Sequence, residues 1–338
     1  IGSISENPTM GSVNNVMNTI PTTSKRVRIP YTVVGGEKFD KKQRPLNPIS
    51  MVILNRSGRL YKADIAAQLD KCGIHEIFSV EGPAVSYDIE NLSVKYPRIR
   101  FILLHEEASP GEKINIAVEE AHSSLVLVIW DDVKIQQPIV SAKLVQKIDD
   151  ADILCTVPLL QDSKRETVPS IVAPAFYRKK LKCLHLLPQS DGMDTICPFD
   201  YIGIYKKGLF IQSGGYDGTI TTPHWQKLDF GFRSHMWGGQ IRCNTSFLLQ
   251  YLGNIPVENE NVSDDYRHFF LKNLAIRFNG DTGSLPRTRF LSYWLKSGAG
   301  FIRSLEEFRK VREWVELNEY RFKQDARSVT ELWVVDEK

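Results

Sequence analysis

Two adjacent carboxylates, Asp131 and Asp132, follow the apolar run Leu125 to Trp130 in the segment LVLVIWDDV. Side chains at the end of a buried strand stand at the rim of a sheet, and a carboxylate pair there attracts a divalent cation. Such a cation can bridge a diphosphate and neutralise charge on a departing nucleotide. An isolated Asp-Asp after a strand more often caps a helix or sits in a solvated turn, so the pair needs company before it means more. Further along, Asp264, Asp265 and His268 share a stretch with helical spacing and could complete a metal or phosphate site. A lone His beside an aromatic helical face is more often structural. The five cysteines, Cys72, Cys155, Cys183, Cys197 and Cys243, include no Cys-x-x-Cys pair, which fits reduced, packed thiols rather than zinc ligands or disulfides. The chain contains no Walker loop, Gly-x-Gly-x-x-Gly, His-Glu-x-x-His or Gly-x-Ser-x-Gly, so nucleotide triphosphatase, dinucleotide oxidoreductase, zinc protease and α/β-hydrolase readings lack their main support.

The elements that must position these residues are legible as a repeating pattern. Short runs rich in Val and Ile at 49–54 (ISMVIL), 75–80 (HEIFSV), 98–104 (RIRFILL), 125–130 (LVLVIW) and 151–157 (ADILCTV) each predict a strand. Between them, helical spacing covers 60–72, 87–96, 113–122 and 139–148. The resulting βαβαβαβαβ order predicts an α/β fold with a mostly parallel sheet and helices on both faces. In such sheets ligands bind beyond the carboxyl ends of the strands, so the loops after Leu54, Val80, Leu104 and Trp130 should line one crevice. The segment 161–198 is less regular and hairpin-like; 199–205 (FDYIGIY) then predicts a strand, and SGGYDG a glycine-rich loop. Helices are expected over 225–237, 264–278 and 301–322, with a short strand beginning at Ile241.

The chain has 338 residues, about twice a usual domain of roughly 150. Its 42% hydrophobic and 25% charged content is that of a globular protein rather than a disordered or collagenous one. With 43 Lys and Arg against 40 Asp and Glu, the net charge of +3 gives no sign of a nucleic-acid partner. The apolar run at 124–130 falls far short of the roughly 18 residues that a membrane span requires. No secretory leader is visible, which makes the cytoplasm the expected compartment. Residues 1–45, rich in Ser, Thr, Asn, Gly and Pro, predict an extended or disordered arm, with Met10 a candidate natural start.

Taken in order, ISMVILNRSG, IFSVEGPAVSYD, EEASPGEKINIAVEEA, LVLVIWDD, SGGYDG and LDFGFRSHMWG resemble the family 2 glycosyltransferases of the nucleotide-sugar-binding GT-A fold. The resemblance covers roughly residues 49–245. It implies that Asn55 and Arg56 form the turn after the first strand and that Glu81 stands where the family has its nucleobase-reading Asp. Gly111 and Asn115 match the Gly and Asn of the helix before the Asp-x-Asp strand. Asp132 matches the last Asp of Asp-x-Asp, with Asp131 beside it and Trp130 in the first position. The resemblance therefore implies Asp132 as ligand to Mn²⁺ or Mg²⁺ and a nucleotide-sugar as co-substrate. Gly214, Gly215 and Asp217 match the GGxD loop on the acceptor side. In the helix that follows, the family's Glu-Asp-x-Asp is replaced by Gln226, Lys227, Leu228 and Asp229, while Arg233 and Gly238 keep the later pattern.

Glycosyl transfer with inversion needs a base for the acceptor hydroxyl and positive charge or donors at the leaving diphosphate. With the usual acids replaced, Asp229 is the expected base and Asp217 the second choice, although Asp229 could simply pair with Arg233 at i+4. Lys113 and Arg233 are the expected diphosphate cations. Trp225 and Trp237 offer faces for a sugar ring, with core packing the commoner use of Trp237. LNRSGRL bears a superficial likeness to the loop of sugar nucleotidyltransferases, but the extra glycines and following Lys are absent.

The expectation is a GT-A-like glycosyltransferase domain over 46–260 and a C-terminal helical extension over 261–338. It would transfer sugar from a nucleotide-sugar to a glycan or other hydroxyl acceptor. Arg289, Tyr293, Trp294, Lys296 and Arg303 of the extension could touch an acceptor, a partner or a membrane surface, making peripheral membrane contact the widest localisation expected. The alternative is a glycosyltransferase-like chain that has lost turnover and serves as a binding or assembly module, because both acidic motifs are altered.

Overall fold

The computed structural model describes residues 29–36, 49–56, 62–70, 72, 74, 76–83, 88–135, 139–178, 180–261, 264–298 and 300–333. Its first half is β1 (Tyr31–Gly35), β2 (Ile49–Leu54), α1 (Lys62–Asp70), β3 (Glu76–Glu81), α2 (Ile89–Lys95), β4 (Ile99–Leu104), α3 (Pro110–Glu120), β5 (Leu125–Trp130) and α4 (Ala142–Asp150). It continues through β6 (Cys155–Gln161), β7 (Ile171–Tyr177), β8 (Lys180–Leu186), β9 (Gly203–Lys206), α5 (Lys207–Gln212), α6 (Pro223–Met236) and β10 (Ile241–Gln250). The remainder is α7 (Asp264–Phe269), the short pair β11 (Arg277–Phe278) and β12 (Gly283–Ser284), α8 (Arg289–Ser297), α9 (Phe301–Leu317) and α10 (Ala326–Glu331).

Eight strands form the central sheet in the order β1-β4-β3-β2-β5-β9-β6-β10. The β4-β3-β2-β5 block is parallel, and β9 enters antiparallel between β5 and β6. Every residue of β2, β3 and β5 is buried, which is why these strands read as continuous apolar runs rather than alternating ones. Local signals start the helices. Ser109 and Glu112 make a reciprocal capping box ahead of α3 with Pro110 at the first turn, and Ser141 caps α4.

Helix α6 is buried from His224 to Met236 and separates two cores. Phe230 faces the sheet-side core with Tyr205, Phe210 and Tyr216, whereas Trp225, Leu228, Phe232 and Met236 pack with Phe269, Val311, Trp314 and Val329. The C-terminal helices thus share a core with α6. Gly231 permits this packing: a Cβ there would run into the carbonyl oxygen of Ile196.

Several expected elements differ. Of the predicted N-terminal arm, Tyr31–Gly35 is a strand paired antiparallel with β4, and most of the rest lies outside the described residues. The strand expected at 151–157 begins at Cys155 and runs to Gln161. The strand expected over 199–205 is a 3-10 turn followed by β9, because Asp200 and Tyr201 have φ of 51° and 63° and break the extended run. The short strand at Ile241 is ten residues long. The helix expected over 264–278 stops at Phe269, passes through a π-helical turn at Phe270–Leu274 and ends in the β11–β12 pair. The last long helix ends at Leu317. No helix among the described residues is long and apolar enough to cross a membrane.

Candidate active site

Parallel pairing in register sets Leu54 beside both Val80 and Trp130, so the residues after β2, β3 and β5 emerge together at one sheet edge. Asn55 donates from Nδ2 to the Val80 carbonyl oxygen at 2.8 Å. The backbone N–H of Asp131 donates to the Leu54 carbonyl oxygen at 2.9 Å, and that of Arg56 donates to Asp131 Oδ1 at 3.1 Å. Buried Glu81 accepts a 2.5 Å hydrogen bond from Ser79 Oγ. Burial lowers the Lys113 pKa, although the charges of Glu107 and Glu81 pull it upward. Asn55, Arg56, Glu81, Lys113, Asp131 and Asp132 therefore lie near one another at one edge of the sheet.

At its centre is the Arg56 guanidinium. It donates to both oxygens of Asp200 at 2.9 and 2.8 Å and to both oxygens of Asp132 at 3.2 and 3.1 Å. Its carbon lies 4.1 Å from the centre of the Trp130 ring, a cation–π arrangement. Trp130 also donates from Nε1 to the Asp200 carbonyl oxygen at 2.8 Å, and Tyr251 at the end of β10 donates its hydroxyl to Asp200 Oδ2 at 2.9 Å. Burial opposes charge on Arg56, but Asp200 and Asp132 outweigh it and raise the pKa. Asp200 itself is pushed up by burial despite Arg56. The left-handed backbone at Asp200 and Tyr201 costs roughly 1–3 kcal/mol per residue, and it is held by these side-chain contacts and by Tyr205, which donates to the Tyr201 carbonyl oxygen at 2.7 Å.

The acceptor-side motif behaves differently. Asp229 is 0% exposed; its Oδ2 accepts from Arg233 Nη2 and Lys272 Nζ, both at 3.2 Å, and its Oδ1 from Asn273 Nδ2 at 2.8 Å. Asp217 is 4% exposed and accepts from Lys272 at 2.6 Å, with His268 Nε2 at 3.5 Å from the same oxygen. Burial works against ionisation of Asp217, yet Lys272 and His268 prevail and hold it well below the usual carboxylate range. Both expected bases thus lie in a buried ion-pair network that ties α6 to the π-helical turn carrying Lys272 and Asn273. An i+4 pair was legible in the sequence; its burial and its enlargement by a distant turn were not.

Other residues matched to the motif brace the scaffold. Arg233 donates to the carbonyl oxygens of Ser213 and Gly215 and is 2% exposed, so its charge is spent inside rather than on a diphosphate. Gly111 donates its backbone N–H to Gln226 Oε1 at 3.0 Å, and Asn115 exchanges hydrogen bonds with the backbone of Tyr216. Gly214 and Gly215 adopt φ of 85° and 62°, conformations that glycine alone takes without strain, and their loop lies against Asn115 and Arg233. Trp225 is 7% exposed, donates to the Asn261 carbonyl oxygen and packs on Tyr266 and Phe269; Trp237 stacks on Trp314. Trp225 is thus buried, and half-buried Trp237 has one ring face covered by Trp314. Asp265 accepts from the Thr222 N–H and hydroxyl at the start of α6, and Asp264 pairs with Arg267 and Arg303. Tyr293 is buried with its hydroxyl on Glu307, and Trp294 packs edge-on against Phe301.

Sequence reasoning missed three residues of this region. Asp200 carries the Arg56 fork, but FDYIGIY reads as an unbroken strand. Tyr251 reaches Asp200 from just beyond β10, a strand longer than the one expected at Ile241. Glu258, in the loop after β10, pairs with buried Lys227 and lies 3.3 Å from His224 Nδ1. Burial would raise the Glu258 pKa, but Lys227 and His224 bring it down to about 2. Glu258 thus supplies a carboxylate to the tip of Lys227 from a separate segment.

Among the described residues no group of three or more His, Cys, Asp or Glu side chains is arranged to hold a metal ion. Asp132 and Asp200 come together, but the guanidinium lies between them, so the donor set does not fit a divalent cation.

No protein-family model and no curated protein matches the chain. Solved structures do. The structure of GalNAc-T7 with UDP, GalNAc and Mn²⁺ aligns over 87% of this chain and 57% of its own, at 12% identity and a TM-score of 0.50. S. aureus TarS 1–349 aligns over 78% and 70% at 13% identity with a TM-score of 0.46. The mannosyltransferase PcManGT from Pyrobaculum calidifontis, in complex with GDP-Man and Mn²⁺, aligns over 82% and 76% at 11% identity with a TM-score of 0.40. The chain spans a little over half the length of GalNAc-T7. At such identities the likeness is one of architecture, and the mixed, mostly parallel sheet with its flanking helices is the GT-A fold.

Proposed function

We propose that this chain is a glycosyltransferase that moves a sugar from a nucleotide-sugar donor to a hydroxyl of a glycan or other acceptor, with inversion. The observation that carries the reading is the convergence of Asn55, Arg56, Glu81, Lys113, Asp131 and Asp132 at the carboxyl ends of β2, β3 and β5 in a GT-A fold. Glu81 and Asn55 take the nucleoside end, and Arg56 and Lys113 take the diphosphate. The presence of UDP and GalNAc in the GalNAc-T7 structure supports a nucleotide-sugar as the donor class.

In the transfer, the acceptor oxygen attacks the anomeric carbon, the bond from that carbon to the diphosphate oxygen breaks, and the hydroxyl proton passes to a carboxylate. Glu258 is the carboxylate assigned to this proton, since its side chain is 18% exposed whereas those of Asp229 and Asp217 are 0% and 3% exposed. A group held at about 2 accepts a proton only weakly at neutral pH. This specific observation favours the second reading, a binding or assembly module with the same donor crevice and little turnover.

Thermal unfolding with UDP, GDP, CDP, dTDP and their sugar conjugates tests the proposal. A true donor at about a hundred times its Kd adds roughly 2.7 kcal/mol of apparent stability. Stabilisation by one nucleotide family, with donor turnover abolished in Glu258→Gln, supports the transferase. Binding without turnover in the wild type selects the module, and no stabilisation by any nucleotide rejects both.

A further inference from the structure

We propose that the Arg56 guanidinium takes the place of a divalent cation between Asp132 and Asp200, so that this crevice receives a nucleoside diphosphate without a metal ion. The proposal deepens the nucleotide-sugar reading and rests on it.

The first observation is the completeness of the fork. Four hydrogen bonds of 2.8–3.2 Å engage four carboxylate oxygens, and Trp130 lies under the guanidinium plane at 4.1 Å. Hydrogen bonds between ionised partners are about twice as strong as neutral ones, and the planar fork matches paired carboxylates in a way a point charge does not. A divalent cation needs those same oxygens at roughly 2.0–2.6 Å, so it cannot enter without expelling the guanidinium.

The second observation is that the surrounding structure is built for the arginine. Trp130 stands in the first position of the Asp-x-Asp pattern; it supplies the cation–π face and donates to the Asp200 carbonyl oxygen. A carboxylate at that position could coordinate a metal but could not stack. The Asp200 carboxylate comes from a separate turn with left-handed backbone and is fixed from behind by Tyr251. The departures from the motif are therefore mutually consistent.

Third, the cation remains reachable. The Arg56 side chain is 26% exposed and Asp132 16%, so the rim of the fork is open to solvent. Its fifth N–H, on Nη1, has no partner among the described residues and is the donor available to a diphosphate oxygen, with Lys113 as the second cation.

Two sets of titrations decide the matter. In the first, Mn²⁺ is added to the wild type, Arg56→Met and Arg56→Met/Asp132→Asn, with free Mn²⁺ followed by electron paramagnetic resonance. The wild type should hold no Mn²⁺ at this crevice. Arg56→Met should bind it at least about tenfold more tightly, and the double variant should lose that gain, a factor of ten being 1.4 kcal/mol. Wild-type Mn²⁺ binding that Asp132→Asn removes would overturn the proposal, and so would a folded Arg56→Met that gains nothing. Should Arg56→Met fail to fold, Arg56→Lys and the wild-type titration still decide. In the second set, calorimetric titration of UDP and GDP into the wild type should give affinities in EDTA within about twofold of those in Mn²⁺. A tenfold or greater loss in EDTA refutes metal-free binding. No nucleotide binding under either condition refutes the nucleotide-sugar reading itself, while the Mn²⁺ titrations still report on what occupies the cation position.

Discussion

Replacement of Asp229 separates a structural carboxylate from a catalytic one. Its network holds Asp217, Asp229 and Glu307 against Lys272, Arg233 and His268, three anions and three cations if the imidazole is charged. Removing Asp229 leaves Arg233 and Lys272, each 3% exposed at the side chain, with one counter-charge fewer. Breaking a buried pair in this way costs about 3–5 kcal/mol, a large part of the roughly 5–15 kcal/mol that holds a folded domain together. At about 2–4 °C per kcal/mol for larger domains, Asp229→Ala should melt on the order of 10 °C below the wild type. Asp229→Asn should fare nearly as badly, because it removes the counter-charge and, whichever way the amide turns, its Nδ2 faces a donor: Lys272 and Arg233 on one side or Asn273 Nδ2 on the other. Thermal and urea denaturation measure the loss, and nucleotide calorimetry below the melting range should show unchanged affinity per folded molecule. The reasoning is refuted if either variant melts within about 2 °C of the wild type while transfer falls by the roughly 100-fold or more that loss of a general base produces.

Two further perturbations probe the same scaffold. Burial disfavours the charged form of His268, but Asp217 and Glu307, each 3.5 Å away, raise its pKa to about 9. The folded-state value lies above the unfolded one, so this stabilisation is complete below about pH 6.5 and is lost as pH rises towards 9, amounting to roughly 3 kcal/mol at most. Urea midpoints at pH 6 and pH 9.5 should show this fall in the wild type, and His268→Gln should lack it; equal falls in both would exclude His268 as the cause. Gln226→Glu, which places an acid at the motif position, should destabilise by about 2–4 kcal/mol and give no gain in turnover over the wild type. Gln226 Nε2 donates to Ser109 Oγ and to the carbonyl oxygens of Asp217 and Ile220, and the two carbonyls, which only accept, would oppose a carboxylate. Burial raises the pKa of the new Glu, so the deficit should be larger at pH 8 than at pH 5 in denaturation experiments, and a variant as stable as the wild type at pH 8 would contradict it.

The sequence by itself determined the parallel block of the sheet. Ile49–Leu54, the run ending at Glu81 and Leu125–Trp130 are buried on both faces, and Ile99–Leu104 is buried except at half-buried Arg100 and Leu103, so all four leave a clear apolar signal. The strand order β4-β3-β2-β5, which the structure supplies, then sets Asn55, Arg56, Glu81, Asp131 and Asp132 at one edge, because residues just after parallel neighbours emerge together. What the tertiary structure alone decided were the contacts between segments far apart in the chain. Arg56 meets Asp200 across 144 positions, Asp229 meets Asn273 across 44, and Lys227 meets Glu258 across 31. No local periodicity encodes such pairings. They depend on a left-handed turn at Asp200, a π-helical turn at Phe270–Leu274 and a loop beyond β10, each too short to outweigh its neighbours in a sequence pattern. The motif residues were therefore legible, but their chemistry was set by partners that folding alone brings to them.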